Sequence, residues 1–455
     1  MPGAVRAAVP AADRAGWAGH PRGLSTLFFT EMWERFSYYG MKAFLILYMT
    51  APIAAGGLGF DDRHAGSVYG TYAGSVWLAA IGGGIVADRL LGAYRSVLWG
   101  GVVIALGHFT LAFENVGTFY AGLALIVVGT GLLKPSATTL VGSLYDVNDA
   151  RRDAGFSIFY MGINIGGFIG PIVAGGLAQR VNWHLGFACA GIGMTLGLVQ
   201  YVLGRGRLRP ALARVAAARA RPAGPAPGAP PGEGAGWLGF TPLEWKRVSA
   251  IFMFFVFAAI FWAAYEQAAS TLNLFAERHA DRDVLGFTVP TSWYVAIQSL
   301  FVIVLAPTFA WLWVWLGPRE PTTPVKFTLG LLFVGLSFVL LYPPATTLRG
   351  GAGVRVSSAW LVAAYFLQVV GEMCLSPVGN SVVTKLAPPR IAGLMIGVWF
   401  LAIAVGNKLA GWVAGFTSTV PLTTTFGAIA GATLGAAAVL ALLVKPIQRV
   451  MGGVR

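Results

Sequence analysis

Long apolar blocks, separated by short polar stretches, run along almost the whole chain. Twelve blocks are long enough for a helix to cross a hydrocarbon core of about 30 Å, which takes roughly 20 residues. Backbone groups inside a bilayer must be hydrogen-bonded within the protein, so each block is predicted to be helical. The blocks lie at residues 24–50, 65–88, 96–113, 118–145, 154–179, 183–204, 247–277, 290–316, 325–343, 358–385, 391–417 and 422–444. The pattern therefore predicts an all-α membrane protein with twelve transmembrane helices.

The composition excludes a water-soluble enzyme. Of the 455 residues, 56% are hydrophobic and 11% are charged, whereas soluble domains are about 25% charged. The sequence contains no phosphate-binding loop, zinc-binding HExxH helix or GxSxG nucleophile turn. The two cysteines, Cys189 and Cys374, lie in apolar blocks and are expected to be packing residues. We expect no enzymatic activity, no metal and no cofactor.

The net charge of +14 reflects membrane topology and gives no reason to expect a nucleic-acid partner. With the N-terminus inside, the cytoplasmic loops and both tails hold 22 of the 32 Lys and Arg residues, whereas the external loops hold six. This asymmetry follows the positive-inside rule and predicts that both termini are cytoplasmic. It also predicts attraction of the inner surface to anionic lipid headgroups. Residues 1–23 have no apolar core that would indicate a cleavable signal peptide.

A polar segment at residues 205–245 divides the apolar blocks into six plus six. Its first part, Arg205 to Arg221, is either a basic helix on the cytoplasmic face or an unstructured tether. Its second part, Pro222 to Gly236, is a flexible linker rich in Pro, Gly and Ala. The predicted organisation is a tail at 1–23, six-helix bundles at 24–204 and 246–445 joined by the linker, and a tail at 446–455. This layout resembles that of major facilitator transporters, whose substrate site lies between the two halves.

Eight of the charged residues within the predicted spans stand out as candidates. A charge at the centre of a membrane helix costs about 2.5–3.5 kcal/mol, so each is a candidate functional residue. They are Glu31, Glu34, Arg35, Lys42, Lys134, Glu266, Glu372 and Lys408. Lys408 lies near the end of its span, and its side chain is expected to extend to the membrane surface instead of forming a site.

The first span concentrates polar side chains on one helix face. At 3.6 residues per turn, six of them form a stripe about three turns long. These are Glu31, Glu34, Arg35, Tyr38, Tyr39 and Lys42. Two interpretations remain open: an internal ladder of salt bridges, of which Glu31–Arg35 would be one, or a site for a polar ligand.

Charges in other spans are expected to complete this site. Lys134 has no charged neighbour in its own span, so an acid from another helix, Glu31 or Glu34, should pair with it. Glu266 and Glu372 lie in the second half, opposite the cations of the first. Breaking an ion pair in such a cavity favours proton uptake by the carboxylate, which is the chemistry that proton coupling requires.

Five stretches of sequence point to one family. Glu31-x-x-Glu34-Arg35-Phe36-x-Tyr38-Tyr39-Gly40 resembles the first-helix signature of the proton-dependent oligopeptide transporters, a branch of the major facilitator superfamily. Four further matches correspond to its fifth, seventh, tenth and eleventh helices, at residues 159–167, 261–267, 372–377 and 399–407. Residues 83–92 resemble the loop after the second helix of the wider superfamily. The resemblance extends from about residue 24 to residue 445, apart from the linker.

The resemblance implies a role for each matching position. Arg35 and Lys134 would hold the carboxylate of a peptide, and Glu372 and Asn164 its ammonium group. Proton coupling would involve Glu31, Glu34, Arg35, Lys134 and Glu266, and the pair Lys42–Glu266 would close the extracellular side. The remaining contacts to the peptide would come from Tyr38, Tyr39, Tyr72, Trp262, Ser376 and Trp399.

Three positions depart from the family pattern. Lys42 stands where Arg is usual, so a planar two-pronged pair becomes a point-charge pair. Gln298, followed by Ser299, replaces a usual Asn-Pro and is kept as a candidate contact. Gly70 stands where animal relatives have His, so proton coupling should not depend on histidine. The linker has no apolar block that could form two extra helices, which supports twelve spans.

The sequence therefore predicts a proton-coupled symporter that imports di- and tripeptides by alternating access, as a monomer in a bacterial inner membrane. Within the family, the alternative is another small anionic or zwitterionic solute, such as nitrate or a peptide-like metabolite. A simple anion would offer Glu372 no ammonium group. A proton–drug antiporter would have little use for Arg35 and Lys134 facing Glu372, and a peptide sensor would need a signalling domain. A channel is disfavoured because two halves around a charged site imply alternating access.

Overall fold

The computed structural model describes residues 16–146, 149–220, 240–348, 353–388 and 391–451, and these are almost entirely helical. The first half contains α1 (Gly23–Thr50), α2 (Asp62–Val86), α3 (Ala93–Leu111), α4 (Val116–Ser143), α5 (Arg152–Gly170), α6 (Gly176–Arg180) and α7 (Trp183–Leu203). It is followed by α8 (Arg205–Ala220). The second half contains α9 (Pro242–Tyr265), α10 (Thr271–His279), α11 (Thr291–Leu316), α12 (Thr323–Leu340), α13 (Tyr342–Thr347), α14 (Ala359–Leu386), α15 (Ala392–Ala414) and α16 (Leu422–Val450).

Four two-residue strands lie in the loops of the second half. β1 (Ala280–Asp281) pairs in parallel with β4 (Val356–Ser357), and β2 (Asp283–Val284) pairs antiparallel with β3 (Phe287–Thr288). The β1–β4 pair connects the α10–α11 loop to the segment that precedes α14, whereas β2 and β3 form a hairpin within that loop.

Each of the twelve apolar blocks coincides with a helix. Two blocks are interrupted: Pro171–Gly175 forms a wide turn between α5 and α6, and Glu266–Ala269 forms a tight turn between α9 and α10. Ten helices of the described chain are long and apolar enough to cross a membrane. The other two are α1, which carries four charged residues, and α3, which contains Arg95 and His108. The fold is that of a multi-pass membrane protein with two six-helix halves.

Side-chain caps mark where several helices begin. Asp61, Asn115 and Asn182 accept hydrogen bonds from backbone N–H groups in the first turns of α2, α4 and α7. Thr241 and Glu244 form a reciprocal capping box at the start of α9. These bonds satisfy N–H groups that have no partner within the helix, and they fix the residue at which each helix begins.

Buried apolar side chains form clusters that follow the two halves. One cluster is drawn from residues 248–451, and two others are drawn mainly from residues 24–212. Between the halves, α2 packs on α15 and α5 packs on α11. A Cβ atom on Gly70 would lie 3.0 Å from Gly411 Cα. Any larger residue at this position would have to push α2 and α15 apart by a few tenths of an ångström, so glycine permits their close approach.

Two ends of the bundle can be distinguished. At the end that we call inner, Arg151 Nη1 donates to Gly19 O at 2.6 Å, and Gln448 Nε2 donates to Thr322 Oγ1 at 2.7 Å. The inner end thus holds both ends of the described chain, and the distribution of Lys and Arg predicts that it faces the cytoplasm. The outer end holds the α1–α2 and α10–α11 loops.

The segment after α7 is a helix, which decides between the two alternatives that its sequence left open. α8 packs on α4 and α1 at the inner end, and Leu208 and Ala211 are fully buried there. Arg214 Nη1 donates to Leu144 O at 2.6 Å, which satisfies a carbonyl at the C-terminal end of α4. The predicted flexible linker, Pro222 to Gly236, lies outside the described residues.

Candidate functional site

Ion pairs join the two halves at the outer end. Lys42 Nζ on α1 lies 2.6 Å from Glu266 Oε2, which stands at the break between α9 and α10. Closer to the surface, Arg278 donates two hydrogen bonds of 2.6 Å to the Asp62 carboxylate, and Thr417 donates a third. The contact expected between Lys42 and Glu266 is present. The Asp62–Arg278 pair was not predicted.

Arg35 is held between two glutamates of its own helix. Its guanidinium donates two hydrogen bonds to the Glu34 carboxylate, and its Nε lies 3.7 Å from Glu31 Oε1. These three side chains are at most 2% exposed, and the rings of Tyr38 and Tyr39 pack beside the guanidinium. The salt bridges that the first interpretation expected along α1 are therefore present. The ladder is incomplete, because Glu31 Oε2 has no hydrogen-bond donor in the described part of the chain.

Lys134 lies near this cluster without forming an ion pair. Among the described residues, no carboxylate is within salt-bridge distance of its ammonium group. The ammonium instead lies 4.3 Å from the ring centre of Trp77, close enough for a cation–π contact. The direct pairing with an acid that the sequence predicted is absent from this conformation, which leaves the ammonium available for a ligand.

The second half contributes an acid and a set of amides. Glu372 on α14 is 7% exposed and accepts a hydrogen bond from the Tyr265 hydroxyl on α9. Gln298 Nε2 on α11 donates to Gln368 Oε1 at 2.8 Å, so this candidate contact is engaged with another side chain. Glu372 therefore has a neutral partner here, whereas the other carboxylates of the site have cations.

Aromatic side chains surround the charged groups. Trp262 and Trp399 are 9% and 3% exposed, and the Trp262 ring packs edge-on against Tyr265. Tyr72 lies beside Tyr38, and its hydroxyl has no hydrogen-bond partner among the residues that the structure describes. These buried N–H and O–H groups can bind a polar ligand that enters between them.

A cavity of about 1030 Å³ lies between α5 of the first half and α11, α12 and α14 of the second. Its wall includes Gly317, Pro318 and residues 320–322, between α11 and α12, and Lys385 in the last turn of α14, so it extends to the inner end. The outer end is closed by ion pairs. In this conformation the bundle is therefore closed at the outer end and open at the inner end.

Two of the predicted contact residues, Asn164 and Ser376, line this cavity. Asn164 also donates to Tyr160 O at 3.1 Å within α5. The charged groups Arg35, Lys134 and Glu372 do not line it, but Met373, the neighbour of Glu372 on α14, does. In this conformation Arg35 is paired with Glu34, Glu372 accepts from the Tyr265 hydroxyl, and Lys134 lies over Trp77.

The structure adds to the site four residues that the sequence analysis did not assign to it. Tyr265 binds Glu372, Trp77 covers Lys134, and Tyr160 and Lys326 line the cavity. Tyr160 and Tyr265 lie inside the fifth- and seventh-helix motifs, so the motifs could have indicated them. Trp77 and Lys326 carry no such signal, because their positions depend on how the helices pack.

The sequence model of the POT family (PTR2) matches residues 94–211 and 242–431. The uncharacterized transporter YclF of Bacillus subtilis (strain 168) is 38% identical, over 98% of this chain and 98% of its own. The peptide transporter YePEPT of Yersinia enterocolitica is also 38% identical, over 95% of this chain and 96% of its own.

A solved structure agrees with these sequence matches. The crystal structure of a mutant of the peptide transporter POT in complex with alafosfalin aligns with a TM-score of 0.86 at 39% identity, over 97% of this chain and 98% of the other. The fold, the motifs and these similarities lead to one conclusion. The chain belongs to the POT family, a family of transporters and not of enzymes.

Proposed function

We propose that this protein is a proton-coupled symporter that imports di- and tripeptides by alternating access. The observation that carries the proposal is the placement of opposite charges around one interface: Arg35 and Lys134 come from the first half, and Glu372 comes from the second. A short peptide is a zwitterion, with a carboxylate for the cations and an ammonium group for the acid. Matching both termini at once restricts the length of the peptide and leaves its side chains free.

The relatives support a peptide as the substrate. The Yersinia relative is named a peptide transporter, and the similar crystal structure is of a peptide transporter. A substrate such as nitrate would leave Glu372 without a positive partner. Contacts to the rest of the peptide are assigned to residues that surround the charges, namely Tyr38, Tyr39, Tyr72, Asn164, Trp262, Gln298, Ser376 and Trp399.

Proton coupling is assigned to the ion pairs of the site. When the outer end opens, Lys42 and Glu266 must separate, and a carboxylate that loses its cation in a poorly solvated space favours binding a proton. In the centre, a peptide carboxylate competes with Glu34 and Glu31 for Arg35, and the displaced acids can likewise take up a proton. Lys134 completes this set of coupled charges.

Transport then requires the halves to move against each other. We assign the moving units to residues 24–204 and 246–445, with the segment 205–245 as the connection. We place the protein as a monomer in a bacterial inner membrane, with both termini in the cytoplasm and with anionic lipid headgroups at the inner surface.

Uptake of labelled dialanine into liposomes that contain the purified protein tests the proposal. With an inward proton gradient, we expect accumulation that a protonophore abolishes. Unlabelled dialanine and trialanine should compete, whereas tetraalanine and free alanine should not. Uptake of nitrate in place of peptides would refute peptides as the substrate but would leave the assigned fold unaffected. Peptide uptake that ignores the protonophore would refute the coupling.

A further inference from the structure

The cavity that opens at the inner end carries three charged side chains on its described walls: Glu320, Lys326 and Lys385. Lys326 lies in the first turn of α12 and is only 7% exposed. Its Nζ is 2.5 Å from Glu320 Oε1 and 4.3 Å from the ring centre of Trp313. An ammonium group has three N–H donors, and Glu320 takes one of them. The remaining donors are available to an acceptor in the cavity.

The present partner of Lys326 is a weak competitor for such an acceptor. The Glu320 side chain is 43% exposed and follows the Gly317–Arg319 turn, so water can replace it at low cost. The first turn of a helix is also an unfavourable place for a cation, because the helix dipole is positive there. The stability of α12 therefore does not explain a lysine at this position.

The packing of α12 on α14 gives the distance from Lys326 to the central site. The two helices run antiparallel and approach closely, since a Cβ atom on Gly330 would lie 3.0 Å from the Cβ atom of Leu375. A Cβ atom on Gly371 would lie 3.4 Å from Val334 N, which fixes the same register. Glu372 is thus level with residues 332–333. Lys326 lies about six residues nearer the inner end, or roughly 9 Å at 1.5 Å per residue.

This value is the offset along the helix axes, and a dipeptide can span it from Glu372, whose neighbour Met373 lines the same cavity as Lys326. If its ammonium group lies at Glu372, its second Cα atom is reached through one 3.8 Å step, and an acidic side chain extends the reach toward the inner end. Without a cation in the wall, a carboxylate that left water for this cavity would be strongly disfavoured.

We propose that Lys326 forms a subsite for an acidic side chain of the transported peptide, with Glu320 as the counter-ion that the side chain displaces. The inference rests on the proposed peptide transport and adds a side-chain preference to it. It makes Lys326 a specificity-determining residue and Glu320 a residue that sets how readily the subsite is occupied.

Competition between two nearly isosteric dipeptides tests this subsite. Ala-Glu and Ala-Gln differ in one charge, and each is measured as a competitor of labelled dialanine uptake. Both inhibition constants are measured on the same variant, so their ratio does not depend on how much of that variant is folded. In Lys326→Met we expect binding of Ala-Glu to weaken about tenfold relative to binding of Ala-Gln. In Glu320→Gln we expect the ratio to move about threefold in favour of Ala-Glu, and Lys326→Arg should stay close to the parent.

Lys408→Met is the matched control, because Lys408 is exposed on the side of the bundle and donates a hydrogen bond to Thr71 there. An unchanged ratio in both Lys326→Met and Glu320→Gln would overturn the subsite. An equal loss of affinity for the two dipeptides in Lys326→Met would also overturn it, because that result indicates a structural role. If the parent protein fails to take up dialanine, the proposed function fails instead. If Lys326→Met does not fold, the Glu320→Gln ratio alone decides.

Discussion

Two glutamates share Arg35, but they hold it unequally. Glu34 accepts two hydrogen bonds from the guanidinium, whereas the closest approach of Glu31 is 3.7 Å and one of its oxygens has no donor within the described chain. Removing one partner of a buried ion pair leaves an uncompensated charge, and costs about 3–5 kcal/mol. The better-bonded carboxylate should therefore be the more important one for stability.

Substitution of the two glutamates separates stability from coupling. Glu34→Gln should lower the melting temperature of the purified protein more than Glu31→Gln, because it removes the bidentate partner of Arg35. Both variants should lose gradient-driven uptake of dialanine while keeping some exchange of peptide across the membrane. Thermal denaturation and counterflow in liposomes measure the two effects. Equal melting temperatures would contradict the unequal pairing, and full driven uptake would contradict the coupling role.

Glu372 should be the residue that recognises the peptide ammonium. In the parent protein, acetylation of the N-terminus of dialanine should weaken competition by about tenfold or more, because a charge-assisted hydrogen bond of roughly 1.5–3 kcal/mol is lost. In Glu372→Gln the same acetylation should matter much less. Tyr265→Phe, which removes the only described hydrogen bond to this carboxylate, serves as a comparison that keeps the charge. Equal losses in parent and Glu372→Gln would exclude Glu372 from this role.

At the scale of elements, the residues before α1 are fastened to the α4–α5 loop. His20 Nδ1 and the Tyr145 hydroxyl are 2.8 Å apart, and Arg151 bonds to Gly19 O. Burial, reinforced by the Arg151 guanidinium, lowers the pKa of His20 below its usual value of 6.5, against a smaller opposing effect of Asp149. Burial also raises the pKa of Tyr145 to about 12, so its hydroxyl stays protonated and can donate to the neutral imidazole.

This contact should weaken in acid. Because the pKa of docked His20 is lower than that of a solvated histidine, the detached segment binds more protons, and docking loses free energy as the pH falls below about 6.5. Hydrogen exchange of residues 16–22 should therefore be slow at pH 8 and faster at pH 5, after correction for intrinsic rates. His20→Gln should remove the pH dependence. Equal protection of the parent at both pH values would contradict the prediction.

The helices were predictable and their interruptions were not. A bilayer demands a long apolar helix for every crossing, so each of the twelve blocks became one. The turn at Pro171–Gly175 and the break at Glu266–Ala269 depend on packing that leaves no periodic signal. Likewise, motif context placed Lys42 against Glu266, but nothing in the sequence links Asp62 to Arg278, which lie 216 residues apart. The absence of an ion pair at Lys134 also follows from tertiary structure, which brings Trp77 to the ammonium.

At the scale of the whole molecule, the outer closure and the inner cavity imply that α5 and α14 approach each other in the opposite conformation. Ser157 and Ser381 stand on facing walls of the cavity. Cysteines at both positions, in a chain whose Cys189 and Cys374 are replaced by Ala, should form a disulfide when the inner end closes. Oxidation should then stop dialanine uptake, and reduction should restore it. Each single-cysteine variant is the control, and uninterrupted uptake by the cross-linked protein would contradict this motion.

The charges inside the bundle also determine which step of transport responds to membrane voltage. Seven of the eight charged side chains named in the spans belong to the central site: Glu31, Glu34, Glu266 and Glu372 against Arg35, Lys42 and Lys134 when all are ionised. The eighth, Lys408, is exposed on the side of the bundle, where it donates to Thr71, and does not belong to the site. The charges of the site sum to −1, and one bound proton brings the sum to zero, while a zwitterionic peptide adds nothing. If the proposed symport carries one proton per peptide, the loaded site reorients as a neutral body, and the empty site returns carrying a negative charge. An inside-negative voltage, worth about 2.3 kcal/mol per charge per 100 mV, drives that return outward. Voltage should thus accelerate the recovery of the empty carrier and leave the inward step of neutral dipeptides almost unaffected.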